Sequence, residues 1–290
     1  MSSAPQTGRP HQDRLRWQSQ AVLLLLLPVI AVWVTLEAGQ LWYAGDPSLW
    51  FGAGLCLLLA AVVFFTRAAT PGAALTGAVI AAALWLQTPG LHSALWPLLA
   101  LLVLTFSATR FGRRRKEALG IAEARRGRTA SQVAANLGVA ALAGIPLSAA
   151  HVFTPVAFGG RAAMAAMVAA MAEAAADTVS SELGQVLGGT PRMITTLRRV
   201  VAGTDGAISL AGTLAGALAA ALLVGVAWLA LPQFPRRDAL LALVAGIAGT
   251  LVDSLLGAVP ERQGWLNNDA VNMLSTLTAA LLAARLTDWF

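Results

Sequence analysis

Apolar stretches recur along this chain at roughly 21–36, 49–66, 73–87, 91–107, 133–150, 155–175, 205–231, 238–257 and 269–286. In lipid such a stretch must close its backbone hydrogen bonds within itself, and a helix does so locally. The pattern predicts an all-α fold, a polytopic transmembrane helix bundle of about nine spans. The residue balance agrees: 57% of the 290 residues are hydrophobic and 12% charged, about half the charged share of an ordinary soluble domain. The stretch at 21–36 follows positive charge, as a signal peptide would. The residues after it, Glu37-Ala38-Gly39-Gln40, match a cleavage site poorly, so it reads as an uncleaved first span.

Four regions follow from this pattern. Residues 1–20 form a polar, basic tail expected to be disordered, 21–107 the N-terminal transmembrane helices, 108–132 a cytoplasmic basic loop, and 133–290 the transmembrane core. The loop holds Arg110, Arg113, Arg114, Arg115, Lys116, Arg125, Arg126 and Arg128. Positive charge stays on the cytoplasmic side of a membrane. Tail and loop then lie on one side with four spans between them, as an even count requires. Continuing the count places 176–203 and 258–268 on that side too, and the C-terminus outside. Arg236-Arg237 runs against the scheme. The expected location is a cell (inner) membrane with the active face cytoplasmic.

The net charge is +6 and the pI about 11.1. In a soluble chain that would suggest nucleic acid, but no recognised binding motif accompanies the charge. Arginines placed between apolar spans point to topology and to anionic phosphates instead. Cys56 is the sole cysteine, which excludes an intrachain disulfide and a cysteine metal site. His11, His92 and His151 fit no ligand spacing.

Polar residues concentrate at 173–209. Glu173, Asp177, Ser180 or Ser181 and Gly184 follow helical i, i+3/i+4 spacing, whereas Glu182 falls roughly opposite and joins them only if the helix breaks. Carboxylates at the end of an apolar span are costly unless hydrated, paired or bound to a cation. Mg²⁺ favours carboxylate and phosphate oxygens; the bland alternative is a solvated helix end. Gly188-Gly189, then Arg192, Arg198 and Arg199, then Gly203-Thr204-Asp205-Gly206 follow. Arginine offers fixed charge to phosphate, and a glycine turn before a helix frees N–H groups for an anion. There is no Walker A pattern. Further on, Gly246, Gly249, Asp253 and Gly257 lie within about 80° of one another on a helix, so Asp253, with Ser254 beside it, is expected to face the bundle. Asn268, Asn272 and Ser275 share a face, and Asn267 is a candidate N-cap. In the basic loop, Lys116 (the sole lysine) and Arg128, beside Gly127 at a helix start, are the better functional candidates; Asn136 follows them.

Together these segments resemble a known family. They read A-D-T-x-x-S-E-x-G at 176–184, G-x-P-R-x-I-T-T at 189–196, R-V-x-x-G-T-x-G at 199–206, D-S-L-L-G-A at 253–258 and N-N-x-x-V-N at 267–272, after R-G-R-x-x-x-Q-V-x-A-N at 126–136. The resemblance is to the integral membrane family that includes plant phytyl-phosphate kinase of tocopherol synthesis and many uncharacterised bacterial and archaeal members. It covers about 105–285. Departures are Ala207 where the family has glycine, and Val179-Ser180 where it often has tryptophan-alanine.

What the resemblance implies is phosphoryl transfer from a nucleoside triphosphate, CTP being one candidate, to a prenyl monophosphate in the bilayer. Asp177, Glu182, Asp205 and Asp253 are then the catalytic candidates, with Asp177, Glu182 and Asp253 for Mg²⁺. Lys116, Arg128, Asn136, Ser181, Arg192, Arg198, Arg199, Thr204, Ser254, Asn268 and Asn272 would hold substrate and phosphates. Two other classes stay open: a transporter or permease for an anionic lipid or small molecule, and a related prenyl alcohol kinase or cytidylyltransferase.

Overall fold

A computed structural model describes residues 15–118, 120, 127–152 and 160–289. The expected disorder of the first residues, and Arg125 and Arg126, lie outside these. The described chain is almost entirely helical. Its elements are α1 (Arg16–Tyr43), α2 (Ser48–Phe65), α3 (Pro71–Gln87), α4 (Leu95–Arg110), α5 (Arg113–Ala118), α6 (Ala130–Ala143), α7 (Ile145–Val152), α8 (Gly160–Leu187), β1 (Arg192–Met193), β2 (Ala207–Ile208), α9 (Leu210–Ala230), α10 (Arg236–Leu256), a π turn (Gly257–Glu261) and α11 (Asn268–Trp289).

Each apolar stretch becomes a helix except 133–150, which breaks at Gly144 into α6 and α7 and so is not the single span expected; length sorts the rest. Among the described residues, six are long and apolar enough to cross a membrane: α1, α2, α8, α9, α10 with its π turn, and α11. The helices α3, α4 and α6 have 17, 16 and 14 residues, short of the roughly 20 that span a hydrocarbon core. Nine full-length crossings are therefore more than helix length alone delivers. A second difference lies at the tail. The first helix begins at Arg16, so residues 16–20 are helical rather than part of a disordered segment. Gln18 is buried and joins α1 to the α10–α11 turn, donating to Trp265 O (2.8 Å) and accepting from Asn267 N (2.8 Å).

The centre of the bundle is α8. Its alanines leave little side-chain bulk, buried Met164, Met167 and Met171 fill the gaps, and α4, α6, α7, α9, α10 and α11 all pack on it. Of its most apolar window 89% is buried, against 11% for α2, so α8 is the core and α2 the rim. Gly212 and Gly216 of α9 lie against α8, where an added Cβ would stand 2.6 Å from Ser180 O and 2.8 Å from Ala176 O. Small residues at this spacing let two helix backbones approach closely in a membrane.

The polar loops gather at one end of the bundle. Asn267 Nδ2 donates to Leu15 O (2.9 Å) and Ser19 Oγ (3.0 Å), bringing the starts of α1 and α11 together. Arg128 N donates to Ala68 O (2.9 Å) and Arg110 Nη2 to Thr66 O (3.2 Å), which adds the α2–α3 and α4–α6 connections. Lys116 reaches Glu182 near the end of α8. The other end is held separately: Arg161 of α8 makes a bidentate pair with Asp238 of α10, at 2.9 and 2.7 Å. Arg236 belongs to that second end, over the Trp228 ring.

Candidate active site

A cavity of about 300 Å³ opens among α8, α9, α10, the π turn and the 188–209 connection. Four carboxylate residues line it: Asp177, Asp205, Asp253 and Glu261. Asp177 and Asp253 come from different helices and lie within mutual hydrogen-bonding reach. Ser275 donates to Asp253 Oδ2 (3.2 Å). Glu173, one turn deeper on α8, is buried beneath them, and its Oε1 has no hydrogen-bond partner. Ser181, Thr204, Ser254 and Asn268 add polar groups around the same space.

Local structure explains how these groups converge. Asp177 and Ser181 follow helical spacing on the unbroken α8. The π turn brings Glu261 in. On a continuous α-helix it would sit about 80° from Asp253; the wider turn rotates it back, a device frequent at functional sites. Gly206 (φ +72°) closes the connection, and a Cβ there would stand 2.3 Å from Ala258 N. The positive φ and the tight approach both favour glycine. At the mouth, partial burial pushes the Asp205 carboxyl above its ordinary range, while the nearby Arg262 charge opposes that shift.

Other candidates fall elsewhere. Because α8 does not break, Glu182 stays off the Asp177 face and does not line the cavity. Its Oε2 accepts from Lys116 Nζ at 2.5 Å. The ammonium also donates to Ala108 O (3.1 Å) and Thr109 O (2.8 Å). All three N–H groups of Lys116 are thus used, and it caps α4 and ties it to α8. Arg192, Arg198 and Arg199 point to water on the β1–β2 connection; Arg192 donates to Leu197 O (2.9 Å). Asn267 caps α11 through Ala270 N (2.9 Å).

Arg128, Asn136 and Asn272 form the wall behind the carboxylates. Arg128 Nη2 donates to Thr178 Oγ1 (3.2 Å), next to Asp177. The Asn272 amide, oriented to satisfy its neighbours, donates to Asp253 Oδ2 (3.3 Å) and accepts from Asn136 Nδ2 (3.1 Å).

The motifs that build this cavity can be placed among known proteins. A sequence profile described as "Integral membrane protein DUF92" matches residues 54–280. The chain belongs to that family. It is accordingly an integral, multi-pass membrane protein. A relative from Methanocaldococcus jannaschii, an uncharacterized membrane protein, is 42% identical over 125 residues, covering 43% of this chain and 52% of its own length. "Protein VTE6, chloroplastic" of Arabidopsis thaliana is 34% identical over 192 residues, covering 63% and 55%. An uncharacterized membrane protein of Synechocystis is 33% identical over 178 residues, covering 61% and 67%. The chain spans about half the length of the first two of these relatives. No solved structure matches it.

Within the family's matched range, two contributors escaped the sequence reading of the site. Glu261 offered a faint signal, an acid at the end of the Gly246–Gly257 stripe, but its direction depends on the π turn. Arg262, which faces Asp205, offered none.

Proposed function

We propose that this protein is a membrane-embedded kinase that transfers a phosphoryl group from a nucleoside triphosphate to a prenyl monophosphate, giving a prenyl diphosphate. The observation that carries this reading is the pairing of Asp177 and Asp253 in one polar cavity at the end of a lipid-spanning bundle. Support comes from family membership and from the motif-level resemblance to the phytyl-phosphate kinase branch.

The donor set fits a hard cation. Two adjacent carboxylates cannot both be ionised cheaply unless positive charge lies between them. Apart from the Arg128 guanidinium beside Asp177, the polar side chains around them are oxygens or amides, as Mg²⁺ prefers, and among the described residues no thiol or imidazole lines the space. Among the described residues, no group of three His, Cys, Asp or Glu side chains is placed to hold a metal ion. A Mg²⁺ here would rest on two carboxylates and take its remaining ligands from substrate phosphates. When bound, Mg²⁺ would neutralise charge on the donor's terminal phosphates.

The chain's own groups do the positioning. Asp177 and Asp253 would hold the cation, with Asn272 and Ser275 orienting Asp253. Thr204, Ser254, Ser181 and Asn268 hydrogen-bond phosphates or nucleotide, CTP being the first donor to try. An oxygen of the acceptor phosphate attacks the γ-phosphorus, a P–O bond forms, and the bond to the nucleoside diphosphate breaks. The acceptor is already ionised, so no side chain need remove a proton. Arg192, Arg198 and Arg199 face water, where their charge draws anionic nucleotide to the cavity. With these arginines on its side, that face is the cytoplasmic one of a cell membrane.

The test uses purified protein with Mg²⁺, radiolabelled CTP or ATP, and phytyl or geranylgeranyl monophosphate. Labelled prenyl diphosphate is the expected product. Its absence with every donor and acceptor, or nucleotide-independent flux of the lipid phosphate in proteoliposomes, sinks the reading. A monophosphate or CDP-lipid product would move the protein to a neighbouring chemistry.

A further inference from the structure

A second cavity, of about 280 Å³, lies between α2, α3, α4 and α6, behind the wall of the carboxylate cavity. Its character is different. Its floor on α3 is Ala73, Ala74, Gly77 and Ala81, small residues at helical spacing that leave a groove where larger ones would fill it. Its sides are leucine, valine and phenylalanine. Val62, Leu99 and Val103 line it and are also exposed on the outer surface of the bundle, so it is continuous with the face that meets lipid.

The mouth is basic. Arg67, Arg110, Arg113, Lys116 and Arg128 line the cavity, and among the described residues no Asp or Glu does. Lys116 is matched by Glu182 and Arg113 by Glu117. Arg67 and Arg110 are exposed at the loop end, and Arg128 reaches across to Thr178, one residue from Asp177. A hydrocarbon groove that opens sideways to the bilayer and ends in arginines beside a carboxylate cavity complements one kind of molecule. It is a chain lipid with an anionic head that must be delivered to that cavity.

We infer that this cleft is the acceptor site: a single isoprenoid chain lies on the Ala73–Ala81 floor, and its phosphate is held at the mouth by Arg67, Arg110 and Arg128. The inference rests on the transferase reading for the identity of the lipid, though not for the existence of the site. Lipid would enter between α2 and α4 directly from the bilayer. The α3 floor and its facing side chains would then set which chain lengths are accepted.

Gly77 gives a clean probe. An added Cβ there has nothing nearer than Val133 Cγ1 at 4.0 Å, so Gly77→Leu fills the groove without displacing backbone. The measurement is binding of geranylgeranyl monophosphate, without nucleotide, to protein in phosphatidylcholine nanodiscs. Geranylgeraniol, inorganic phosphate and phosphatidic acid serve as comparisons. Gly77→Leu is expected to weaken the prenyl phosphate at least tenfold. Arg67→Glu with Arg110→Glu should weaken it similarly while leaving geranylgeraniol unchanged. Both changes in the double variant are on exposed side chains, so it decides the matter if Gly77→Leu lowers the melting temperature; Arg67→Glu alone decides it if losing the Arg110–Thr66 bond lowers that of the double variant too. Unchanged affinity in the double variant overturns the inference. So does equal competition by phosphatidic acid, which would make the cleft a place for ordinary bilayer lipid, or by inorganic phosphate, which would make it an anion site with no lipid role. Prenyl phosphate that binds in the cleft but is never phosphorylated supports the site and overturns the transferase reading. Turnover with affinity indifferent to both variants does the reverse.

Discussion

The single residues divide by what their polar atoms already touch. Asp177 and Asp253 face a cavity, so replacing either should remove function while sparing the fold. Asp177→Asn and Asp253→Asn are each expected to lower phosphoryl transfer by about 10²-fold or more, a typical loss for one electrostatic group in a reacting site; a steady-state assay at saturating Mg²⁺ reads it. The Lys116–Glu182 pair predicts the opposite pattern. With side chains 1% and 13% exposed, removing one partner strands a charge and is expected to cost about 3–5 kcal/mol. The double variant Lys116→Met/Glu182→Leu should recover much of that, as thermal melts in detergent would show. Asp205 adds a pH dependence. Its folded-state pKa is raised by burial and held down by Arg262. Arg262→Ala should therefore raise it further and move the acid limb of the rate profile to higher pH. In that variant, stability present while Asp205 is protonated is lost as pH rises through the higher folded pKa. At this scale the sequence marked Asp177 and Asp253 as acids in need of a polar space, and both line the cavity. It carried no sign of what Lys116 and Arg192 touch, because their bonds to Glu182 and to Leu197 O are made only in three dimensions.

The elements show why spacing alone misjudged some of these groups. An unbroken α8 keeps Glu182 off the Asp177 face, so of the three acids that the resemblance implied for Mg²⁺, Asp177 and Asp253 meet across two helices while Glu182 pairs with Lys116. A change from α to π winding at 257–261 brings in Glu261, which is not among the candidates read from the sequence. The close contacts between elements were legible as glycine spacing. They carry a prediction of their own at Gly206, where the connection crosses the π turn. Gly206→Val would need a left-handed conformation that a β-branched residue resists and would drive a side chain into Ala258. It should displace Asp205 and Glu261 together, lowering turnover while leaving the α8–α9 packing at Gly212 and Gly216 intact. Limited proteolysis confined to 188–209, with an unchanged helical circular dichroism signal, is the expected signature; global loss of helix would contradict it.

For the whole molecule, the distribution of charge and of chemistry is the same fact. The apolar runs revealed the bundle from sequence because lipid admits so few backbones. They could not reveal which runs are too short to cross unaided, nor that Gln18 and Asn267, 249 residues apart, clasp the first and last helices. That clasp, the Arg128–Ala68 bond and the Lys116–Glu182 pair together bring the starts of α1, α3, α6, α9 and α11 to one end of the bundle. Most arginines lie there, while among the described residues Arg161, Arg236, Arg237 and Arg285 lie toward the other. Arg161 is balanced by Asp238, which lessens its weight as a topogenic charge. The orientation can be tested because Cys56 is alone and buried. In a Cys56→Ser background, Thr195→Cys and Gln263→Cys at the loop end and Gln233→Cys at the other place single thiols on exposed positions. A membrane-impermeant maleimide should label the first two only in inside-out vesicles and the third only in right-side-out ones. Nucleotide is supplied from the cytoplasm, so labelling of Thr195→Cys from outside would leave the carboxylate cavity without access to its donor. That single result would refute the kinase reading and the assigned topology together.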